Sequence, residues 1–338
     1  MTTLLVANDG GHLMQLHTLR PRLGVGEDVV WVTPRTPQTE SLLAGERVHW
    51  ASPCPPRDTQ ALARNAAACR RLFRDHDVSL VVSTGAALAL AVLPQARLRG
   101  IETVYIESAT RYDKPSLSGR ALAMVPGITT FSQSSALTRG HWKYLASPWE
   151  LYDTVPTPPR PIRSMVVSLG TQDDYGFRRL LDRLVPLVPR GTDVLWQTGG
   201  TDTSGLGIGA RERVPSQEMA AAIRAADVVV AHAGTGIALM ALENGKLPIL
   251  VPRRAMHGEH VDDHQLTIAL ELALRDLCIS RDADSLKERD LVAAASRRVT
   301  KVTDPPPLRI TSVPLPRPRS GGSVTAPAAA VTATAARV

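Results

Sequence analysis

Val228-Val229-Val230-Ala231-His232 is an uncharged run rich in β-branched residues, and Ala233-Gly234-Thr235-Gly236 turns straight out of it into the helical stretch Ile237–Asn244. A buried strand that ends in a Gly-Thr-Gly turn and opens a helix reads as one βα unit of a parallel sheet. Such a turn bares helix-end N–H groups, which together with the helix dipole suit a diphosphate. Glu243, two turns into that helix, offers a carboxylate to ribose hydroxyls. The plainer alternative for it is a solvated carboxylate on a helix face.

The same rhythm extends in both directions. Upstream, strands are expected at Leu4–Asn8, Asp28–Thr33, Val78–Ser83, Thr103–Glu107 and Ile128–Ser132. After the proline-rich break 156–161 they resume at Met165–Gly170, Asp193–Gln197, Val228–His232 and Pro248–Val251. Helical patterns separate them, among them Leu13–Leu23, Gln60–Phe73, Phe177–Leu187, Ser216–Ala226, Gln265–Leu274 and Ser285–Val299. Alternation of this kind predicts an α/β protein with two doubly wound, Rossmann-like parallel sheets facing a cleft. The expected units are 1–158, 159–303 and a disordered Pro/Ala-rich tail, 304–338. The cleft is the default ligand site.

Composition narrows the classes. Of 338 residues 43% are apolar, enough for two cores and too many for a disordered chain. Cys54, Cys69 and Cys278 are odd in number and far apart, so neither a disulfide framework nor a CxxC metal pair is expected, and a reducing cytoplasmic setting fits. The first nine residues lack the basic flank of a signal peptide. Val78–Ala96 is uncharged and of bilayer length, but Ser83-Thr84-Gly85 interrupts it, so strand, turn and helix are expected there. Residues 1–160 hold 17 Lys+Arg against 13 Asp+Glu, whereas 161–303 hold 18 of each. A basic first half points to an anionic partner, either a phosphate-bearing substrate or an anionic membrane surface. Nucleic acid is disfavoured because aromatics are few and not interleaved with the basic residues.

Three polar constellations sit at the expected strand ends. Asn8-Asp9-Gly10-Gly11-His12 lies between the first strand and its helix, where His12 is placed to act as a base on a hydroxyl. The alternative is an ordinary strand-to-helix turn with an incidental histidine. His257-Gly-Glu259-His260-Val-Asp262-Asp263-His264-Gln265 is rich in metal-ligand types, yet its spacing matches no standard zinc pattern. A sugar-binding loop through Asp263, His264 and Gln265 is the preferred reading, with Asp262 or Asp263 as a helix cap. Gly170-Thr171, Thr84-Gly85, Glu107-Ser108 and Arg111 complete the cleft, or are βα-loop residues without a task.

Taken together, these motifs resemble family 28 glycosyltransferases of the GT-B fold. Asp9-Gly-Gly-His12, Ser83-Thr-Gly85, Val104-Tyr-Ile-Glu-Ser108 and Phe131-Ser-Gln133 are similar to the acceptor subunit of the two-subunit eukaryotic enzyme that extends dolichyl-diphosphate-GlcNAc. Val167-Ser-Leu-Gly-Thr171, Gln197-Thr-Gly-Gly200, His232-Ala-Gly-Thr-Gly236, Glu243, Val251-Pro252 and Asp263-His-Gln265 are similar to its donor subunit. The chain thus looks like a fusion of the two, akin to bacterial exopolysaccharide and capsule enzymes. The resemblance implies inverting, metal-independent transfer from a UDP-sugar to a lipid-diphosphate-linked sugar acceptor. It places the chain on the inner face of the plasma membrane, with a membrane protein as a further partner.

By the same resemblance, Gly170, Thr171, His232, Gly234, Thr235, Gly236, Glu243, Asp263, His264 and Gln265 would hold the donor. Gly10, Gly11, Thr84, Gly85 and Arg111 would hold the acceptor. His12 is the first choice for the base, with Asp9 and Glu107 behind it. No cofactor or metal is implied. A soluble natural-product glycosyltransferase and a UDP-sugar 2-epimerase share the fold, and a non-catalytic UDP-sugar-binding partner of a membrane synthase is the alternative from another class.

Overall fold

A computed structural model describes residues 1–55, 58–112, 114–171 and 174–310. The first half carries strands β1 (Thr2–Ala7), β2 (Val29–Pro34), β3 (Val48–Ala51), β4 (Val78–Gly85), β5 (Glu102–Ile106), β6 (Ile128–Ser132), β7 (Trp142–Tyr144) and β8 (Tyr152–Pro156). The second carries β9 (Ser164–Ser168), β10 (Asp193–Gln197), β11 (Ala210–Arg211), β12 (Val228–His232), β13 (Ile249–Val251), β14 (Ile279–Ser280) and β15 (Arg297–Lys301). The helices are α1 (Gly11–Leu19), α2 (Pro37–Leu42), α3 (Thr59–Asp75), α4 (Ala87–Leu98), α5 (Leu117–Ala123), α6 (Arg178–Leu184), α7 (Ser216–Ala225), α8 (Thr235–Glu243), α9 (His264–Leu274) and α10 (Glu288–Ala295).

Two parallel sheets result. The first runs β3-β2-β1-β4-β5-β6-β7 and the second β11-β10-β9-β12-β13-β14. Strand order reverses between β1 and β4 in one sheet and between β9 and β12 in the other, and ligands of doubly wound sheets bind at such switch points. The central strands are apolar on both sides: Leu4, Leu5 and Val6 of β1 and Val228, Val229 and Val230 of β12 are buried throughout, as helices on both faces require. The uncharged stretch 78–96 is β4 followed by α4, and no described helix is long and apolar enough to cross a membrane.

Two expectations need correction. The helix expected over Ser285–Val299 stops at Ala295, and Arg297–Lys301 is a strand that pairs antiparallel with β8. Nor is the segment after Thr303 wholly a free tail. Leu308 and Ile310 are buried in the core of the first domain, Leu308 N–H donates to the Arg22 carbonyl at 2.7 Å, and Arg22 Nε donates to the Pro306 carbonyl at 3.0 Å. The chain therefore crosses back to the first domain after completing the second. Residues 311–338 of the expected tail lie outside the described residues.

Candidate functional site

Both switch points open onto the seam between the domains, where the two glycine turns meet. A Cβ on Gly236 would stand 3.5 Å from the Cα and N of Gly11. Gly10 adopts φ 71°, ψ −133°, a conformation open essentially to glycine alone, and it turns β1 directly into α1. Neither Gly10, the N-cap of α1, nor Gly234, the N-cap of α8, provides a side chain that caps its helix. The N-termini of α1 and α8 thus meet in van der Waals contact with no side-chain cap on either, and their dipoles together favour an anion beside that contact.

His12 is the first side chain on the α1 side of this seam. Its Nδ1 lies 2.7 Å from the Thr84 carbonyl, and Thr84 Oγ1 donates to the His12 carbonyl at 2.7 Å. A carbonyl only accepts, so Nδ1 carries the hydrogen and Nε2 keeps its lone pair. Nε2 has no hydrogen-bond partner among the described residues. Removal from water, partly offset by the Thr84 carbonyl and the nearby Glu107 carboxylate, holds the pKa below the ordinary histidine value. A neutral imidazole with an unpartnered Nε2 lone pair is the form a general base needs. Asp9 is exposed beside it. Arg111 makes no side-chain hydrogen bond or ion pair among the described residues, yet it is near enough to His12 to help lower its pKa.

The other expected acceptor-side residues stand behind His12 rather than in the seam. Thr84 is fully buried, with its side-chain hydroxyl and its carbonyl both turned to His12. Gly85, at φ 100°, leaves the space the His12 ring fills: a Cβ there would be 3.3 Å from ring atoms. Glu107 is corrected from candidate base to scaffold. It is fully buried; Oε1 accepts from Tyr105 Oη (3.2 Å) and Ser108 N (3.0 Å), and Oε2 accepts from Ser116 N (2.8 Å) and Ser116 Oγ (3.0 Å). Four donors leave this carboxylate no free position for a substrate proton.

On the donor side, His232 is a wedge. A Cβ on Gly170 would come within 2.9 Å of its ring and one on Gly234 within 2.2 Å, so both glycines exist around this imidazole. Loss of water and the neighbouring Arg253 charge push its pKa down to about 3, so the ring is neutral and cannot pair with phosphate as a cation. Thr171 is exposed at the end of the β9 turn, while Thr235 is buried against Gly11 with its hydroxyl unpartnered.

Within 255–265, Asp263 Oδ1 accepts from Ala255 N at 2.9 Å, and Gln265 Oε1 accepts from Arg253 N at 3.0 Å. These two expected sugar ligands therefore also shape the loop. His264 remains partly exposed, its Nδ1 hydrogen-bonded to Asp262. His260, Asp262 and His264 bring one ligand-type atom each to within 4.8 Å of one another.

Glu243 is not at the turn. It is the last residue of α8, about 12 Å along the axis from Thr235 at 1.5 Å per residue. There its two oxygens take the Tyr152 hydroxyl and the Lys301 ammonium.

Several positioning residues escaped the sequence reading. Gln15, buried, donates to Gly11 O and Ser108 Oγ, both at 3.1 Å, and accepts from Ala109 N and Gln133 Nε2, both at 2.8 Å. This network fixes the Gly10-Gly11 turn from below. Arg253, 1% exposed, donates from Nη2 to Leu169 O at 2.6 Å and so supports the Gly170 turn. The Gln15 spacing, one helical turn after Gly11, was the available signal; nothing local announced Arg253.

Residues 194–301 match the family model described as glycosyltransferase family 28 C-terminal domain. The matched span begins in β10 and ends in β15, and so contains the donor-side turn. A relative from Synechococcus sp. (strain WH7803), UDP-N-acetylglucosamine--N-acetylmuramyl-(pentapeptide) pyrophosphoryl-undecaprenol N-acetylglucosamine transferase, is 28% identical over 209 residues, covering 57% of this chain and 57% of the relative. UDP-N-acetylglucosamine transferase subunit ALG13 of Yarrowia lipolytica is 39% identical over 72 residues, covering 21% of this chain and 35% of the relative. The chain thus matches little more than half of one curated relative and about a third of the other. The crystal structure of Acinetobacter baumannii MurG superposes with a TM-score of 0.53 at 16% identity, covering 87% of this chain and 89% of that one. The fold is GT-B.

Proposed function

We propose that this chain is an inverting glycosyltransferase that moves a sugar from a UDP-sugar onto a lipid-diphosphate-linked acceptor. The observation that carries the proposal is the paired, uncapped N-termini of α1 and α8, with the His12 lone pair beside them. The α8 turn and the end of β9 hold the nucleotide diphosphate. Gly10, Gly11 and Arg111 hold the acceptor diphosphate, and His12 Nε2 takes the proton of the attacking hydroxyl. As the sugar–phosphate bond breaks, helix-end N–H groups stabilise the leaving diphosphate, so charge develops where donors already point. No step requires a metal. His264 and Gln265 approach the sugar; its identity is N-acetylglucosamine or another hexose or uronic acid.

The curated relatives support this reading, since one of them is named for a UDP-sugar donor and an undecaprenol-linked acceptor. We place the reaction in surface-polysaccharide assembly at the inner face of the plasma membrane, with the two catalytic halves of the eukaryotic enzyme fused in one chain. Membrane contact rests on the exposed arginines Arg64, Arg70, Arg71 and Arg74 of α3, each contributing about 1 kcal/mol at an anionic surface.

The test is calorimetric titration with UDP and a panel of UDP-sugars, followed by turnover with a polyprenyl-diphosphate-sugar in anionic vesicles. Saturable UDP binding, and release of UDP dependent on the lipid acceptor and unaffected by EDTA, are expected. Absence of UDP binding in folded protein refutes the donor assignment. Binding without turnover marks a non-catalytic partner, and turnover on a soluble acceptor alone marks a natural-product enzyme. Inhibition by EDTA overturns metal independence and turns attention to His260, Asp262 and His264.

A further inference from the structure

The loop between β13 and α9 runs into a side-chain cluster of which the proposed reaction uses one member. The His260 side chain is almost wholly enclosed, 7% exposed. It stacks on Tyr175 with 5.5 Å between ring centroids and meets the His264 ring edge-on at 4.7 Å. Asp262 Oδ1 stands 3.6 Å from His260 Nδ1 and is hydrogen-bonded to His264 Nδ1. One ligand-type atom from each of the three residues lies within 4.8 Å of the others.

Hydrogen bonds alone leave this cluster under-used. Among the described residues the His260 side chain makes one, accepting from Asp262 N at 3.4 Å, which is long for an N–H donor. That donor assigns the lone pair to Nδ1, and the same lone pair faces a carboxylate oxygen with no hydrogen to give. Two acceptors turned toward one another are what a cation satisfies. Zinc holds imidazole nitrogen and carboxylate oxygen at about 2.0–2.2 Å, so its tetrahedral ligand atoms stand about 3.3 Å apart. The His260–Asp262 separation is already close to that. His264 gives its Nδ1 hydrogen to Asp262; a cation entering there takes the place of this hydrogen, which solvent returns to Nε2. Two imidazoles beside one carboxylate select against magnesium and calcium, which take oxygen ligands. Asp262 and His264 are partly exposed, so an ion reaches the cluster from solvent. A single carboxylate, with the Arg253 charge felt at His260, keeps the affinity moderate and the ion exchangeable.

We propose that His260, Asp262 and His264 form a site for an exchangeable divalent transition-metal ion of the zinc class. The ion takes no part in transfer. Its binding ties His264 to the metal and withdraws it from the sugar, so it acts as a brake. That consequence, unlike the site itself, rests on the reading of His264 as a donor-sugar ligand.

The experiment titrates Co²⁺ into the full chain, untagged and stripped of metal, and reads the visible d–d absorption. One Co²⁺ per chain is expected, with the intense bands of four-coordination and no thiolate charge-transfer band, because the three cysteines are buried. Zn²⁺ should displace it, as the tighter-binding ion, and Mg²⁺ should not. Asp262→Asn, which keeps a side-chain oxygen for the His264 N–H, and His260→Gln are each expected to weaken Co²⁺ at least about tenfold, a loss that even outer partners of a metal cause. His257→Ala, in the same loop but outside the cluster, should leave it unchanged, and thermal melts show that the variants are folded. In the parent chain saturating Zn²⁺ should weaken UDP-N-acetylglucosamine about tenfold, the worth of one lost hydrogen bond. UDP, whose diphosphate chelates the ion equally, is the control and should be unaffected; Asp262→Asn should abolish the zinc effect. No stoichiometric cobalt signal, or one that survives both substitutions, overturns the site. A cobalt site that leaves UDP-N-acetylglucosamine affinity untouched overturns the brake. A chain that takes up cobalt as expected and binds no UDP upholds the site and refutes the donor assignment alone.

Discussion

The two domains present the same device, a parallel strand that ends in a glycine turn and opens a nine-residue helix, and each places a histidine beside it. The two histidines are put to opposite use. His12 follows its glycines, donates its Nδ1 hydrogen to the Thr84 carbonyl and keeps Nε2 without a partner among the described residues. His232 precedes its glycines and is clamped between Gly170 and Gly234 in its neutral form. What separates a base from a wedge is the side of the turn on which the ring sits and what touches its second nitrogen. Residue type says nothing about it.

The largest effect that comparison predicts is at His12. His12→Gln, which keeps a polar side chain there, is expected to lose about 10²–10⁴-fold in turnover, the usual worth of a positioned base. UDP affinity should stay unchanged, because the nucleotide turn belongs to the other domain. In the parent chain the acid limb of the rate profile should fall below pH 6.5, since His12 must be neutral and its pKa is lowered. Near-parental turnover in the variant removes His12 as the base and leaves Asp9 as the remaining expected candidate.

Next comes the wedge itself. Gly234 has an ordinary φ of −86°, so only space forbids a side chain there, and the obstacle is the His232 ring. Gly234→Ala is expected to cost about 1–3 kcal/mol in stability, as overpacking does. Combined with His232→Ala the cost should largely vanish, a positive coupling read directly from a double-mutant cycle by urea unfolding. Additive losses mean that the glycine serves something other than the ring.

His232 also makes a pH prediction. Its folded pKa, about 3, lies below the unfolded value of 6.5, so the unfolded chain binds the proton first. The stability at stake is fully present above pH 6.5 and falls as pH drops from 6.5 toward 3. Between pH 6.5 and 5 this single group accounts for about 2 kcal/mol. His232→Asn should remove that part of the acid sensitivity measured by urea titration at the two pH values. An unchanged slope assigns it instead to the other histidines held below their ordinary pKa, such as His17 and His260.

The parts of this comparison that were legible in the sequence are local ones. A β-branched run followed by glycines and an apolar helix names its own geometry within a dozen residues, which is why the central strands and both turns were expected where they lie. The edge strands β11 and β14, two residues each, are too short to show a period. β15 was hidden because its β character depends on pairing with β8, far off in sequence. The same limit governed the site. The His12–Thr84 contact spans 72 residues and the Gln15–Gln133 contact 118, so neither the tautomer of the base nor the support beneath its turn leaves a local pattern. Glu107 looked like a candidate because a carboxylate at a strand end often faces ligand. Only its four donors, two of them from Ser116, show that it holds the following loop instead.

Glu243 gives the smallest expected effect and the sharpest check on the donor side. Its carboxylate sits at the far end of α8 and is occupied by Tyr152 and by Lys301, a lysine 59% exposed. An ion pair that open to solvent contributes less than about 1 kcal/mol. Glu243→Ala should therefore leave UDP affinity within about twofold of the parent chain, a change of about 0.4 kcal/mol, and lower stability only slightly. A collapse of UDP binding would mean that the nucleotide runs the length of α8 to meet this carboxylate. The nucleoside would then occupy the seam cavity of about 610 Å³ that Glu243 lines, and would displace Tyr152 and Lys301 from its carboxylate.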